Sequence, residues 1–173
     1  MAQARPPYRM RPMLPADAPQ LADIFRASIE GLTEDDYSAE QQKAWMSSAE
    51  DVPAFAARLA AQLTLVATLA EEPVAFASLK GGDHIEMLYV HPEAARQGVA
   101  TMLIDALEKL AGARGGKKLT VDASDTARDF FAGRGYQPDR RNSVLRAGEW
   151  LSNTTMVKTL AAATGQGGAS NDN

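Results

Sequence analysis

One segment, residues 84–110, constrains the fold more than any other part of the sequence. It begins with the β-rich run His84–Val90 and continues, after Gly98, into a helix with one apolar face. The residues of that face are Val99, Met102, Leu103, Ala106, Leu107 and Leu110. A strand that enters a helix through a glycine turn aims backbone N–H groups and the positive end of the helix dipole at one point. The segment therefore predicts an α/β chain with a site for phosphate oxygens at Gly98.

The remaining helices are predicted from their start signals. Polar residues before apolar helical patterns predict N-caps at Asp17, Ser38, Asp51 and Ser124. Gln20 and Gln41 stand at the capping-box positions of the first two helices, and Gly31 predicts the end of the first.

Further strands are predicted from β-rich runs at residues 8–13, 63–69, 74–80, 117–122 and 152–160, with another that starts at Gly135 and Tyr136. The order of elements predicts an α/β (α+β) domain with a mixed central sheet of about six to seven strands and helices on both faces. This single domain would span residues 1–160, and residues 161–173 have the composition of a disordered tail.

Composition excludes several classes of function. The 173 residues include no cysteine and two histidines, so thiol catalysis is excluded, the usual Cys/His zinc sites cannot be built, and we expect no metal. A formal net charge of -4 argues against a nucleic-acid-binding face. No run approaches the roughly 18 apolar residues of a membrane span, and the first residues lack the apolar part of a signal peptide. We expect a cytoplasmic protein with no nucleic-acid or membrane partner.

Two motifs resemble those of the GNAT N-acetyltransferase superfamily. The first is Val90-His91-Pro92 followed by Gly98 and Ala100, which is similar to the family's strand and pyrophosphate-binding helix. The second, residues 124–136 (SDTARDFFAGRGY), resembles the family's Asn/Ser-x-x-Ala-x-x-Phe-Tyr/Phe-x-x-x-Gly-Phe/Tyr signature. A glycine between a strand and a helix more often only forms the turn. The second motif, at the expected separation, favours the interpretation that Gly98 belongs to a cofactor site. Residues 37–41 (YSAEQ) resemble those of uncharacterised bacterial members.

The resemblance implies the GNAT fold, with a V-shaped opening between two parallel strands and acetyl-CoA as the co-substrate. It also implies transfer of the acetyl group to a primary amine of a small molecule or peptide, and it is compatible with a homodimer. By the family pattern, the Leu88 backbone N–H stabilises the oxyanion and the strand near Val90 pairs with pantetheine. The residues implied to bind the cofactor are Leu88, Val90, Arg96, Gln97, Gly98, Val99, Ala100, Thr101, Ser124 and Phe131.

The catalytic base is sought on the strand beside the acetyl site. A lysine-like amine costs about 4 to 5 kcal/mol to deprotonate at pH 7, so a base matters for such an acceptor. Strand alternation predicts His84, Glu86 and Leu88 on one face, which makes Glu86 the leading base and His84 the second. The alternative for Glu86 is an ion pair with a neighbouring strand, and for His84 a purely structural role.

Two positions depart from the family pattern. Ala95 stands where the family has Gln or Arg, and Phe131 stands where many members have a tyrosine that acts as the general acid. Tyr136 could replace that tyrosine only if its hydroxyl turned inward, and the alternative is that Tyr136 packs in the core. These departures favour a second functional class, an acyl-CoA-binding regulatory module with little turnover, whereas Glu86 and the complete glycine turn favour an enzyme.

The acceptor site is predicted in the N-terminal third. Acidic and aromatic residues cluster there and could enclose a cationic amine: Glu30, Glu34, Asp35, Asp36, Tyr37 and Trp45. The alternative is a solvated acidic loop with two aromatic residues that merely pack. Asn153 on the last strand is a further candidate.

Overall fold

A mixed seven-stranded sheet organises residues 7–161, which are the residues that our computed structural model describes. The strands are β1 (Arg9–Pro12), β2 (Leu63–Leu69), β3 (Glu72–Lys80), β4 (His84–Val90), β5 (Lys118–Ser124), β6 (Gln137–Arg146) and β7 (Glu149–Thr159). Their order in the sheet is β1-β2-β3-β4-β5-β7-β6, with β4 and β5 parallel and the other neighbours antiparallel. The predicted fold class is confirmed. Residues 162–173 of the predicted tail lie outside the described part of the chain.

Five α-helices cover the two faces of this sheet within the described residues. They are α1 (Ala18–Leu32), α2 (Ala39–Met46), α3 (Val52–Ala60), α4 (Val99–Ala113) and α5 (Arg128–Gly133). None of the helices in residues 7–161 has both the length and the apolar character needed to cross a lipid bilayer.

Two of the predicted N-caps are confirmed. The Ser38 hydroxyl accepts a hydrogen bond from the Gln41 N–H at 3.1 Å, and the Gln41 side chain accepts from the Ser38 N–H at 2.9 Å. The Asp51 carboxylate accepts from the Ala54 N–H at 3.0 Å and so caps α3. Each cap satisfies a backbone donor that the first helical turn leaves unpaired, which is worth about 1 kcal/mol.

Asp17 is the N-cap residue of α1, as predicted, but neither its side chain nor that of Ser124 accepts a hydrogen bond from a helix N-terminus. Asp17 precedes α1, but its carboxylate accepts from the Leu14 N–H at 2.7 Å and from the Arg11 guanidinium at 2.7 and 2.9 Å. Ser124 is the last residue of β5, and its hydroxyl accepts from the Ala127 N–H in a turn that precedes α5. In both cases the side chain accepts a hydrogen bond from a backbone N–H before the helix instead of from one in its first turn.

Gly31 does not end α1, which continues to Leu32. A Cβ at this position would lie 2.8 Å from Cγ of Pro92, in the turn after β4. The glycine therefore permits close packing of α1 against that turn, and the predicted helix stop is wrong.

Two apolar layers hold the helices on the sheet. One joins α1 and α3 to the sheet through Leu21, Phe25, Ile29, Phe55, Leu59, Val66, Phe76 and Met87. The other joins α4 and α5 to the opposite face through Val99, Leu103, Ile104, Leu107, Val121, Phe131 and Tyr136. Each fully buried side chain of this size contributes about 1.5–3 kcal/mol, so the two layers fix the position of β4 between them.

The ladder between β3 and β4 contains a one-residue bulge at Glu86. Ser78 lies opposite Met87 and Leu79 lies opposite Ile85, so Glu86 has no partner in the ladder. A bulge of this kind places two consecutive side chains on one face of a sheet.

The bulge corrects the predicted alternation along β4. Leu88 packs in the α4 layer, whereas Glu86 contacts Arg58 of α3 on the opposite face. His84 contacts Thr120 and is on the side of Glu86, so the prediction that all three residues share one face is wrong for Leu88.

Candidate active site

Strands β4 and β5 diverge to form a V-shaped opening. Within the described residues they pair only at His84 with Thr120 and at Ile85 with Val121. Both strands continue beyond these pairs, β4 to Val90 and β5 to Ser124. The edges of the two strands therefore face each other across a gap that no ladder closes.

The ladder on the other side of β4 determines which backbone groups face this gap. The His91 N–H donates to the Val74 carbonyl at 2.8 Å, so the hydrogen-bonded pairs recur at alternate positions along β4. Leu88 and Val90 are opposite Ala77 and Ala75 at the intervening positions. Their N–H and C=O groups consequently point away from β3 and into the opening.

The turn before α4 supplies a second set of backbone donors. Gly98 is the N-cap of α4 with φ of 84° and ψ of 7°, and Arg96 has φ of 61°. Left-handed residues near a helix start turn successive N–H groups toward one point, which forms a concave anion site. Among residues 7–161 no side chain caps the N-terminus of α4, so its first N–H groups remain free for a ligand.

The opening belongs to a cavity of about 820 Å³. The turn and the N-terminus of α4 line one part of it, and Phe25 of α1, Trp45 of α2 and Tyr89 of β4, which pack together, line another part. A cavity of this size accommodates part of a large ligand and a small second molecule.

Glu86 enters the cavity from the bulge. Its carboxylate accepts hydrogen bonds from the Arg58 guanidinium at 2.9 and 3.3 Å and from the Gln62 amide, and its side chain is 16% exposed. Burial raises the pKa of Glu86, but the hydrogen bonds from Arg58 and Gln62 outweigh it and lower the pKa below the ordinary value. Glu86 is therefore an ionised carboxylate at neutral pH.

His84 lies at the closed end of the opening. Its Nδ1 is 2.7 Å from the Thr120 hydroxyl, and its Nε2 is 3.8 Å from a carboxylate oxygen of Asp122. These contacts orient the imidazole ring between β4 and β5, where it lines the cavity.

Three aromatic side chains that pack together form one wall of the cavity. Trp45 packs edge-on against Tyr37 and Tyr89, with ring centroids 5.3 and 6.2 Å away. The Tyr37 hydroxyl donates to the Ser152 carbonyl at 2.7 Å and accepts from the Asp125 N–H at 2.9 Å. Burial raises the pKa of Tyr37, and it raises the pKa of Tyr89 to about 12, so both phenols are neutral at pH 7.

Comparison with known proteins shows which family the chain belongs to. The family model described as an acetyltransferase (GNAT) domain matches residues 33–160, which is well over half of the chain. The chain belongs to the GNAT family. As a GNAT protein it is an acetyltransferase.

Individual GNAT proteins support the assignment. The chain is 34% identical over 148 residues to the uncharacterized N-acetyltransferase YafP of Escherichia coli, covering 86% of this chain and 93% of YafP. It is 62% identical to a GCN5-related N-acetyltransferase from Rhodopseudomonas palustris, with a TM-score of 0.88 over 92% of this chain and 99% of that one. PaiA N-acetyltransferase from Thermoplasma acidophilum, solved with coenzyme A, shares the fold at 16% identity, with a TM-score of 0.72 over 88% of this chain and 98% of that one.

Most residues predicted to contact the GNAT cofactor line the cavity. These are Leu88, Val90, Arg96, Gly98, Val99, Ala100, Thr101, Ser124 and Phe131. Gln97 does not: its side chain donates to the Glu93 carbonyl at 3.2 Å and accepts from the Tyr8 hydroxyl at 2.5 Å. The left-handed turn at Arg96 directs the Gln97 side chain away from the cavity.

The predicted acceptor residues divide in the same way. Tyr37, Trp45 and Asn153 line the cavity, but Glu30 is exposed and does not. The cavity-facing side of α1 carries Phe25, Ser28 and Ile29, and one residue of helix rotates a side chain by about 100°. Glu30 therefore points to solvent, and its predicted position in the acceptor site is wrong.

Tyr136 is confirmed as a core residue. It is 1% exposed, its ring packs on Phe131, and its hydroxyl lies 3.5 Å from Glu108. Burial raises the pKa of Tyr136 well above the ordinary value. Tyr136 therefore does not take the place of the tyrosine that many GNAT members have where this chain has Phe131.

Arg58, Tyr89 and Arg146 are among the cavity residues that were not predicted from the sequence. Tyr89 adjoins the GNAT motif, and the aromatic residue beside Val90 was a signal that could have found it. Arg58 and Arg146 come from α3 and β6, far from the motif, and no local pattern marks them.

Proposed function

We propose that the chain transfers the acetyl group of acetyl-CoA to a primary amine of a small molecule or a peptide. The observation that carries this proposal is the opening between β4 and β5, where Leu88 and Val90 turn their backbone groups inward beside the uncapped start of α4. PaiA from T. acidophilum, which has the same fold, was solved with coenzyme A.

The two sets of backbone donors suit different parts of acetyl-CoA. The turn at residues 96–101 would hold the pyrophosphate, because its N–H groups and the helix dipole both favour an anion. The backbone of Val90 would pair with the pantetheine amides as a strand does. These contacts use backbone atoms, so the alanine at position 95 does not weaken them.

Acetyl-CoA supplies an activated acetyl thioester to this site when it is bound. The Leu88 N–H points into the opening and would donate to the acetyl carbonyl oxygen, where negative charge develops. Glu86 is ionised and lies on the acceptor side of β4, so it would take the proton of the amine directly or through water. Arg58 holds that carboxylate in place, and His84 remains the second candidate for the base.

The experiment that tests this function is a free-thiol release assay with acetyl-CoA and a panel of polyamines, aminoglycosides, amino acids and peptides. The wild type is compared with Glu86→Gln and with Glu50→Gln, an exposed glutamate that does not line the cavity. We expect acceptor-dependent release that falls at least about tenfold in Glu86→Gln only, since a general base contributes about 10²–10⁴-fold.

Acetyl-CoA affinity, measured by calorimetry, should be equal in all three proteins. If the wild type does not bind acetyl-CoA, the proposed function is wrong. If Glu86→Gln keeps full activity, the base is not Glu86, and a His84→Gln variant then tests the second candidate.

A further inference from the structure

Among the three arginines that line the cavity, only Arg58 pairs with a carboxylate within residues 7–161. Arg58 is bound to Glu86, and Asp122 accepts from the Thr155 hydroxyl at 2.6 Å and lies beside His84. Arg96 belongs to the turn at the cofactor end. Within residues 7–161 Arg146 also has no carboxylate within 4.0 Å, but it is not part of that turn, so its charge is available elsewhere in the cavity.

Arg146 lies at the acceptor end of the cavity. It is the last residue of β6, and its guanidinium donates to the Ser48 hydroxyl at 3.1 Å, across the gap between the β6–β7 hairpin and the turn after α2. Both residues line the cavity. A neutral hydroxyl uses one N–H of a guanidinium and leaves the others free for an anion.

The surroundings of Arg146 strengthen an anion contact. Phe25 and Trp45 pack against Tyr89 in the cavity lining, and these three rings reduce the polarity around Arg146. Burial raises the pKa of Tyr89, and the positive charges of Arg58 and Arg146 partly offset this rise. Both guanidinium groups therefore act on this phenol. Arg58 is already neutralised by Glu86, which leaves Arg146 as the cation whose charge a ligand would balance.

We propose that the acceptor carries a carboxylate close to its amine, as an amino acid does, and that Arg146 and Ser48 bind this carboxylate. The inference rests on the proposed acetyl transfer and names its acceptor class. A guanidinium binds a carboxylate through two parallel hydrogen bonds, which would fix the direction of the acceptor. The amine then faces Glu86 and the opening, and the aromatic wall covers the body of the molecule.

The test compares amines that differ only in the carboxylate: L-phenylalanine with phenethylamine, and L-leucine with 3-methylbutylamine. Each pair is assayed by thiol release with the wild type, with Arg146→Met, and with Arg140→Met as a matched control. Arg140 is an exposed arginine of the same strand that does not line the cavity. The members of a pair differ in amine basicity, but this difference cancels when the ratio of their kcat/KM values is compared between proteins.

We expect the wild type and Arg140→Met to prefer the amino acids by at least about tenfold in kcat/KM, and Arg146→Met to lose that preference. The loss should come from slower acetylation of the amino acids, with the simple amines unaffected. Equal kcat/KM values for both members of each pair in the wild type would overturn the inference. A preference for the amino acids that survives in Arg146→Met would overturn it too.

Calorimetric binding of the products, N-acetyl-L-phenylalanine against N-acetyl-phenethylamine, tests the carboxylate site without turnover. Tighter binding of the first by the wild type but not by Arg146→Met supports the inference, and equal binding overturns it. Failure of the proposed function would give a different result, because the wild type would then not bind acetyl-CoA. The product measurement would still decide whether Arg146 recognises a carboxylate.

Discussion

The conformation of Gly98 makes a sharp prediction about stability and cofactor binding. An L-residue in the left-handed region costs about 1–2 kcal/mol, and Gly98 has φ of 84°. A Cβ at this position would meet no heavy atom within 4 Å, so steric contact adds nothing to that cost. We therefore expect Gly98→Ala to lower the free energy of unfolding by about 1–2 kcal/mol.

A matched control lies in the same helix. Gly112 is within α4, its φ is not positive, and a Cβ there would also meet nothing within 4 Å. Alanine is favoured over glycine in a helix by about 1 kcal/mol, so Gly112→Ala should raise the free energy of unfolding. The same substitution is thus expected to have opposite effects at the two ends of α4.

Urea unfolding followed by circular dichroism measures both changes, and calorimetry measures acetyl-CoA affinity. A loss of about 1–2 kcal/mol corresponds to a fall in Tm of about 2–8 °C for a chain of this size. Acetyl-CoA should bind more weakly to Gly98→Ala if the turn relaxes to relieve the strain, and equally well to Gly112→Ala. If Gly98→Ala were as stable as the wild type and bound acetyl-CoA as tightly, the reasoning about this turn would be refuted.

Two further predictions concern buried polar contacts. Hydrogen bonds from Arg11 hold the pKa of Asp17 below its ordinary value, so the stabilisation they give is present above about pH 4 and is lost as the pH falls through the folded-state pKa. Asp17→Asn should therefore lower the free energy of unfolding by about 1.5–3 kcal/mol at pH 7 and by less at acidic pH, as measured by urea unfolding across pH. A difference from the wild type that did not shrink at low pH would contradict this. Tyr37→Phe removes a hydroxyl that pairs with Ser152 and Asp125, and we expect a loss of about 1–3 kcal/mol in the same assay. An unchanged unfolding midpoint would show that these two backbone groups find other partners.

The cofactor end of the cavity could be predicted from the sequence because its signals are local. A strand, a glycine and an amphipathic helix follow one another within residues 84–110, and backbone groups do the binding there. Each signal therefore lies within a few residues of the group that it positions. The side chain of Gln97 shows the limit: it lies outside the cavity, and the φ of 61° at the preceding Arg96 cannot be read from the sequence.

The acceptor end could be predicted only in part, because its contacts join distant parts of the chain. The hydrogen bond between Arg146 and Ser48 spans 98 residues, and the one between Tyr37 and Ser152 spans 115. Glu30 was placed there by charge alone, and its position on α1 turns it outward. Such contacts depend on how the β6–β7 hairpin packs on α2, which no local pattern records.

The bulge in β4 explains how one strand serves both ends of the cavity. With strict alternation, Glu86 would share the face of Leu88 and enter the apolar layer under α4, where an unpaired carboxylate costs several kcal/mol. The extra residue turns Glu86 to the opposite face, where Arg58 and Gln62 hold it as an ionised carboxylate. Leu88 and Val90 meanwhile keep their backbone groups directed toward β5. A single inserted residue thus places a charged side chain on the acceptor side and free backbone donors on the cofactor side of the same strand.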